Sequence, residues 1–161
     1  MARTKKDAEE NIKLVCRNKR AFHEYDIMDR LECGIVLTGT EVKSLRDGTA
    51  SLEDAYAKID GRELWLIGSD IPEYAMGNRL NHKPKRTRKL LLHRREIERF
   101  AGEASQKGFT LVPLRLYFKE GRAKIEIAIA RGKQLHDKRQ DKKKAEAQRE
   151  IRRAMTDRNR H

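Results

Sequence analysis

The stretch Leu111-Val112-Pro113-Leu114-Arg115-Leu116-Tyr117-Phe118-Lys119-Glu120-Gly121-Arg122-Ala123-Lys124-Ile125-Glu126-Ile127-Ala128-Ile129-Ala130 decides the fold. Two apolar runs, Leu111 to Phe118 and Ala123 to Ala130, flank Glu120-Gly121, a pair suited to a tight hairpin turn. In the second run Ile125, Ile127 and Ile129 alternate with Lys124, Glu126 and Ala128, as in a strand with one buried and one wet face. A second hairpin follows the same logic, with Ala55 to Ile59 and Leu64 to Ile67 around Asp60-Gly61. Ile12 to Arg17 reads as a short strand with Ile12, Leu14 and Cys16 on one face. Ile35 to Leu45 reads as another, broken at Gly39 by a bulge or bend of the kind barrel corners need.

Two stretches have helical spacing instead. Lys19 to Leu31 places Ala21, Tyr25, Met28 and Leu31 at that period, with Gly34 as the stop. Arg94 to Gln106 does so with Ile97, Phe100, Ala101 and Ala104, with Gly108 as the stop. Short strands, two helices and no regular βαβ alternation predict a mainly β fold, a small closed or nearly closed barrel with helices at its edges. Three regions are expected: a flexible arm over residues 1–10, the barrel over 11–130, and a basic tail over 131–161. The tail holds twelve Lys or Arg against five Asp or Glu. Its few apolar residues, Ala147, Ile151, Ala154 and Met155, share one helical face. Such a segment buries too little to fold alone, so it is expected to be disordered when free and helical against a surface.

The chain has 161 residues and a net charge of +13, which points to an anionic partner. No apolar run approaches the roughly 20 residues of a membrane span. No apolar segment follows the charged N-terminus, so a soluble, cytoplasmic protein is the simplest expectation. Cys16 and Cys33 are isolated, without C-x-x-C spacing, so neither a disulfide framework nor a metal site is expected. The charge is segregated. Asp47 to Ala75 has seven acids against two bases, and Arg79 to Arg99 has nine bases against two acids. Lys83, Lys85, Arg86, Arg88 and Lys89 lie within seven residues with no acid between them, in a loop marked by Pro84 that is expected to follow a phosphate backbone. Asn18-Lys19-Arg20-Ala21-Phe22-His23-Glu24-Tyr25 mixes cations, an amide and rings, the set used to read unpaired RNA bases. Glu32, Glu41, Asp54 and Asp70 fit no metal, phosphate-binding or nucleophile motif, so no catalytic residue, metal or cofactor is expected.

Together, Asn18-Lys19-Arg20-Ala21 with His23-Glu24-Tyr25, Gly39-Thr40-Glu41-Val42-Lys43-Ser44-Leu45-Arg46, Arg86-Thr87-Arg88-Lys89-Leu90-Leu91-Leu92, Leu116-Tyr117-Phe118 and Gly132-Lys133 followed by His136-Asp137-Lys138-Arg139 resemble the SmpB family, the tmRNA-binding (SsrA-binding) proteins of bacterial trans-translation. The resemblance runs from about Lys13 into the tail. It implies an OB-like β-barrel with two to three flanking helices and a basic C-terminal tail. It implies a non-enzymatic ribosome-rescue factor that binds the tRNA-like domain of tmRNA and delivers it to stalled ribosomes. The partners it implies are tmRNA, the stalled ribosome with its small-subunit rRNA, and elongation factor Tu with alanyl-tmRNA, with no membrane.

By position, the resemblance assigns Asn18, Lys19, His23, Glu32, Leu91 and Lys124 to tmRNA, beside the basic loop Lys83, Lys85, Arg86, Arg88 and Lys89. It assigns Gly132, Lys133, His136, Asp137, Lys138, Arg139, Lys143 and Lys144 to the decoding centre and the empty mRNA channel. His93 stands where the family often has Asn, and Phe22 where it often has a basic residue. The rival reading is a general basic RNA-binding or ribosomal protein.

Overall fold

The computed structural model describes residues 11–106 and 108–158, without the side chains of Leu135, His136, Asp157 and Arg158. The expected arm over residues 1–10 lies outside the described residues. The elements run β1 (Ile12–Arg17), α1 (Lys19–Glu24), β2 (Tyr25–Ile35), α2 (Gly39–Arg46), β3 (Tyr56–Asp60), β4 (Glu63–Ile67), a 3-10 turn (Asn78–Leu80), β5 (Arg88–Leu91), α3 (Arg94–Ala104), β6 (Phe109–Lys119), β7 (Arg122–Gly132) and α4 (Leu135–Arg158).

All seven strands belong to one antiparallel sheet, ordered β1-β6-β3-β4-β5-β2-β7, and β6 also pairs with β7. That last pairing closes six strands into a ring, with β1 added along β6. Closure removes the free edges of the ring strands and leaves the outer edge of the short β1. The ring is thinnest where β3 meets β6, through the single pair Ala57↔Leu111.

Both expected hairpins form. In the β6–β7 turn, Glu120 (φ 52°) and Gly121 (φ 76°) both take positive φ, as a two-residue hairpin turn requires. The mainly β barrel follows as expected, with four α-helices among the described residues instead of two to three.

Two expected elements are replaced. The helix predicted over Lys19 to Leu31 ends at Glu24, and β2 begins at Tyr25. From Tyr25 onward the odd-numbered side chains are the better covered, Tyr25 and Ile27 on the sheet's outer face and, past a bulge at Met28, Leu31, Cys33 and Ile35 in the barrel. Met28, assigned above to the helical face, is 63% exposed. Nine pairs with β7, from Tyr25↔Gly132 to Gly34↔Lys124, outweigh the weak helical period. The strand predicted over Ile35 to Leu45 becomes α2 after Leu37. The Glu41 carboxylate accepts from the Thr38 N–H at 2.9 Å, one arm of a capping box, and the Val42 N–H donates to Thr38 O. In β1 a bulge between Leu14 and Cys16 changes the expected face: Val15 and Cys16 pack on the core, and Leu14 is exposed.

The main core fills the ring with Leu45, Leu64, Leu66, Leu90, Phe100, Leu116, Ile125, Ile127 and Ile129. A second small core outside the ring seats Ala21 of α1 on Val112, Leu114, Ala128 and Ala130. The outer face of β7 is therefore covered at its C-terminal half and open near Lys124. Burial pushes the Cys16 thiol up to about 11 and the Cys33 thiol up to about 12, so both are protonated apolar fillers at neutral pH.

Candidate nucleic-acid interface

Strand register builds the first surface. Leu91 lies opposite Gly34, Gly34 opposite Lys124, Lys124 opposite Tyr117, and Tyr117 opposite Leu14. Five residues far apart in sequence thus form one row across five strands on the outer face. Leu90 takes the core, which leaves Leu91 52% exposed. Gly34 lets Leu91 lie over the sheet, because a Cβ there would stand 3.2 Å from Leu91 Cβ. Glu32 sits two residues before Gly34 on the same face. A shallow groove brings Glu32, Leu91 and Lys124 together, with His93 and Glu96 at its rim.

The Glu32 carboxylate is well supported. Tyr117 Oη donates to Oε2 at 2.5 Å, and Lys119 Nζ lies 3.1 Å from Oε2 and 3.3 Å from Oε1. Burial alone would push its pKa up. The Tyr117 and Lys119 hydrogen bonds and the charges of Lys119 and Lys124 overrule that and hold the carboxyl below its ordinary range. Burial and the neighbouring Glu32 raise the Tyr117 hydroxyl, so it remains a donor. Opposite Glu32, Glu126 is 6% exposed and held by Arg115 at 2.7 Å and Arg30 at 3.4 Å. Tyr117, Lys119 and Arg115 are absent from the site residues assigned from the sequence, where Tyr117 stands only within the motif Leu116-Tyr117-Phe118, because it takes the β2–β7 and β6–β7 registers together to place them beside Glu32.

α1 builds the second surface. Lys19 and His23 are exposed along its outer side. The Phe22 ring lies 4.4 Å from the Arg17 guanidinium and 5.7 Å from that of Arg30. A ring in contact with two cations stands at this position, Phe22. A groove runs between α1 and α4, lined by Lys19, Phe22, His23, Lys133, Lys144 and Arg149.

Several of the sequence-selected residues turn inward. Asn18 is 2% exposed. Its amide donates to Leu52 O and Pro113 O at 3.0 Å, and its Oδ1 accepts from the Ala21 N–H. It caps α1 and pins it to the barrel, and offers nothing to a ligand. Arg88, placed above in a phosphate-facing loop, is on β5 and fully buried. It donates to Glu41 at 2.9 Å, to Ser69, to Arg86 O and to Pro84 O. Arg86 grips the same carboxylate with two bonds, at 3.0 and 2.8 Å. Burial would raise Glu41, and its bonds to Arg86, the Thr38 N–H and Arg88 bring it below the usual carboxylate range. Lys89 pairs with Glu63. Of the basic run, Lys83 and Lys85 stand exposed and form no ion pair among the described residues. Position 93, where the family often has Asn, is the N-cap of α3. The His93 N–H donates to Glu96 at 3.0 Å there, so this departure falls on a capping position.

In the tail, β7 continues to Gly132, two residues past the expected boundary, with Arg131 paired to Phe109 and Asp26. The Lys133 N–H donates to Glu24 O at 2.9 Å and its ammonium pairs with Asp141, which anchors the start of α4 to α1. Asp137, Arg139, Lys143 and Lys144 are exposed and Lys138 is partly so. The side chain of His136 lies outside the described residues. Ile151 and Met155 are 55% and 65% exposed, so the apolar face of α4 has no cover. The carboxylates considered for catalysis are dispersed. Glu41 is sealed, and Asp54 is 75% exposed and bound to Arg20. Among the described residues, no group of three His, Cys, Asp or Glu could hold a metal.

The chain is similar to known proteins over most of its length. The family model described as SmpB protein matches residues 15–157. The SsrA-binding protein of Desulforudis audaxviator is 56% identical over 147 residues, which cover 91% of this chain and 96% of its own. That of Corynebacterium jeikeium is 59% identical over 142 residues, 88% of this chain and 77% of its own. A solved chain described as "tmRNA-SmpB: a journey to the center of the bacterial ribosome" is 46% identical. It superposes with a TM-score of 0.65 over 74% of this chain and 85% of its own.

Proposed function

The chain belongs to the SmpB family, and from that premise we propose that it binds the tRNA-like domain of tmRNA and delivers it to stalled ribosomes for trans-translation. The observation that carries the reading is the outer sheet face. Register alone assembles Leu91, Glu32 and Lys124 into one exposed groove, beside a cationic helix that bears Lys19 and His23. An apolar platform, a carboxylate acceptor and cations are what folded RNA with unpaired bases requires. Lys83 and Lys85 add phosphate contacts. Arg86 and Lys89 keep part of their surface open, although each already holds an internal carboxylate.

In this reading α4 is the ribosomal arm. Gly132 and Lys133 lead it out, and His136, Asp137, Lys138, Arg139, Lys143 and Lys144 enter the decoding centre and the empty mRNA channel. The arm is disordered in solution and takes its helix against rRNA. Elongation factor Tu accompanies the alanyl-tmRNA complex. The protein acts as an RNA-binding factor and not as an enzyme. Among the described residues no helix is long and apolar enough to cross a membrane. Its place is the cytoplasm, with the ribosomes.

Removal of residues 134–161 tests this division of labour and spares β7 and the Lys133 N–H bond to Glu24 O, although it removes Asp141. The expected result is near-intact affinity for the tRNA-like domain with loss of peptide tagging on stalled ribosomes. Equal loss of both would refute it.

A further inference from the structure

Glu32 presents a negative charge on a face that meets an anionic polymer, and it keeps that charge. Its two oxygens are not equivalent. Oε2 is taken by the Tyr117 hydroxyl at 2.5 Å and by Lys119 at 3.1 Å. Oε1 has only the longer Lys119 contact at 3.3 Å, beside the groove that Leu91, Gly34 and Lys124 line. We propose that Tyr117 and Lys119 are positioning residues that hold Glu32 as a one-oxygen acceptor, so that the groove takes a single N–H or O–H donor of an unpaired nucleotide. That donor is an exocyclic base amine or a ribose 2′-hydroxyl. The inference rests on the reading that this face binds RNA.

The chemistry follows from the occupied atoms. A guanine Watson–Crick edge met at two points needs both carboxylate oxygens free, and Oε2 already has two donors. The open lone pairs of Oε1 suit one donor, with the base or sugar resting on Leu91 and Lys124 placed to offset a phosphate. The charged and titratable groups around Glu32 are Tyr117, Lys119 and Arg115 from β6, Lys124 and Glu126 from β7, Arg30 from its own strand, and Glu96 with His93 from the start of α3. Donors outweigh burial, so the acceptor stays ionised below the ordinary titration of a glutamate. Loss of the Tyr117 hydroxyl leaves burial less opposed and moves that titration upward.

The test uses the full chain and a transcript of the tRNA-like domain, with E32Q, Y117F, K119M and the double variant E32Q/Y117F. Y117F is expected to weaken binding about fivefold, and less than about twofold when Glu32 is already Gln. Wild-type affinity relative to Y117F should grow as the pH falls from about 6 to 4.5, through the ordinary glutamate range. In the free protein, the carboxyl carbon of Glu32 followed by NMR should titrate higher in Y117F and in K119M than in wild type. Removal of single base amines or 2′-hydroxyls from the transcript should identify one group whose loss matters to wild type and not to E32Q. Equal Y117F effects in both backgrounds, an unmoved Glu32 titration, or two required donors on one guanine would overturn the proposal. Absence of any wild-type preference for the tRNA-like domain over ordinary tRNA would instead overturn the RNA reading, while the NMR titration still judges the Tyr117–Glu32 link.

Discussion

Glu41 and Glu32 are the same residue type, and both are held below the usual carboxylate range. Glu41 is fully buried and enclosed by Arg86, Arg88 and the Thr38 N–H, with every donor drawn from the fold. It ties the start of α2 to β5. Glu32 keeps 37% of its side chain in solvent and an oxygen with only one long contact. The difference teaches that the direction of a pKa shift does not identify a functional acid. What distinguishes the two is whether the donors exhaust the acceptor sites. The same holds for the cations: Arg88 is spent on the fold, and Lys85, three residues earlier, is not.

The largest expected effect is on the closed side of this comparison. Glu41→Gln leaves the buried Arg88 without its counter-ion and should cost about 3–5 kcal/mol of stability in denaturant unfolding, and Arg88→Leu, which leaves Glu41 paired with Arg86, should cost less. If either variant unfolds like wild type, the buried cluster is not the node described here. Its pH dependence has a definite sign. A depressed folded-state pKa contributes stability above the unfolded glutamate value of about 4.3 and loses it as the pH falls through the folded value. Wild type should therefore lose more stability than Glu41→Gln on acidification below about pH 4.5.

On the open side, Glu32→Gln should cost about 1–3 kcal/mol of affinity for the tRNA-like domain, with a melting temperature close to wild type. Leu91→Ser should reduce the same affinity by less, since Leu91 is already half exposed in the free protein and offers only a contact surface. The smallest effect separates the cations. Lys85→Ala should weaken all RNAs alike and lower the salt slope by about one. Lys89→Ala removes a lysine already paired with Glu63 and should lower it by less, which binding isotherms at several salt concentrations would show.

The hairpins were legible in the sequence because their evidence is local: alternation on both sides of a turn pair that accepts positive φ. β2 was not, because Ala21, Tyr25, Met28 and Leu31 satisfy a helical period while Tyr25, Ile27, Leu31, Cys33 and Ile35 satisfy a strand one. The β7 partner that decides between them lies about a hundred residues away. α2 carried a legible signal, the spacing Thr38-x-x-Glu41, that the alternation of Ile35 and Leu37 obscured. Glu32, Leu91 and Lys124 came from family resemblance, and the register shows why they belong together. The roles of Tyr117 and Lys119 could not be found that way: Tyr117 stood in the motif Leu116-Tyr117-Phe118 with no role assigned, and nothing near Glu32 in sequence points to either. Arg88 shows the opposite error. A run of bases reads as solvated, yet Arg88 shares the inward parity of Leu90 on β5, and a carboxylate waits inside.

The most direct test of the central claim, that the outer sheet face reads tmRNA, is binding of wild type and Glu32→Gln to the tRNA-like domain and to an ordinary tRNA at two salt concentrations. A preference of about tenfold or more for the tRNA-like domain, equivalent to about 1.4 kcal/mol, is expected. That preference should survive the higher salt and shrink in Glu32→Gln. Equal affinities that fall together with salt, unchanged by the substitution, would contradict it and leave a general basic RNA-binding protein.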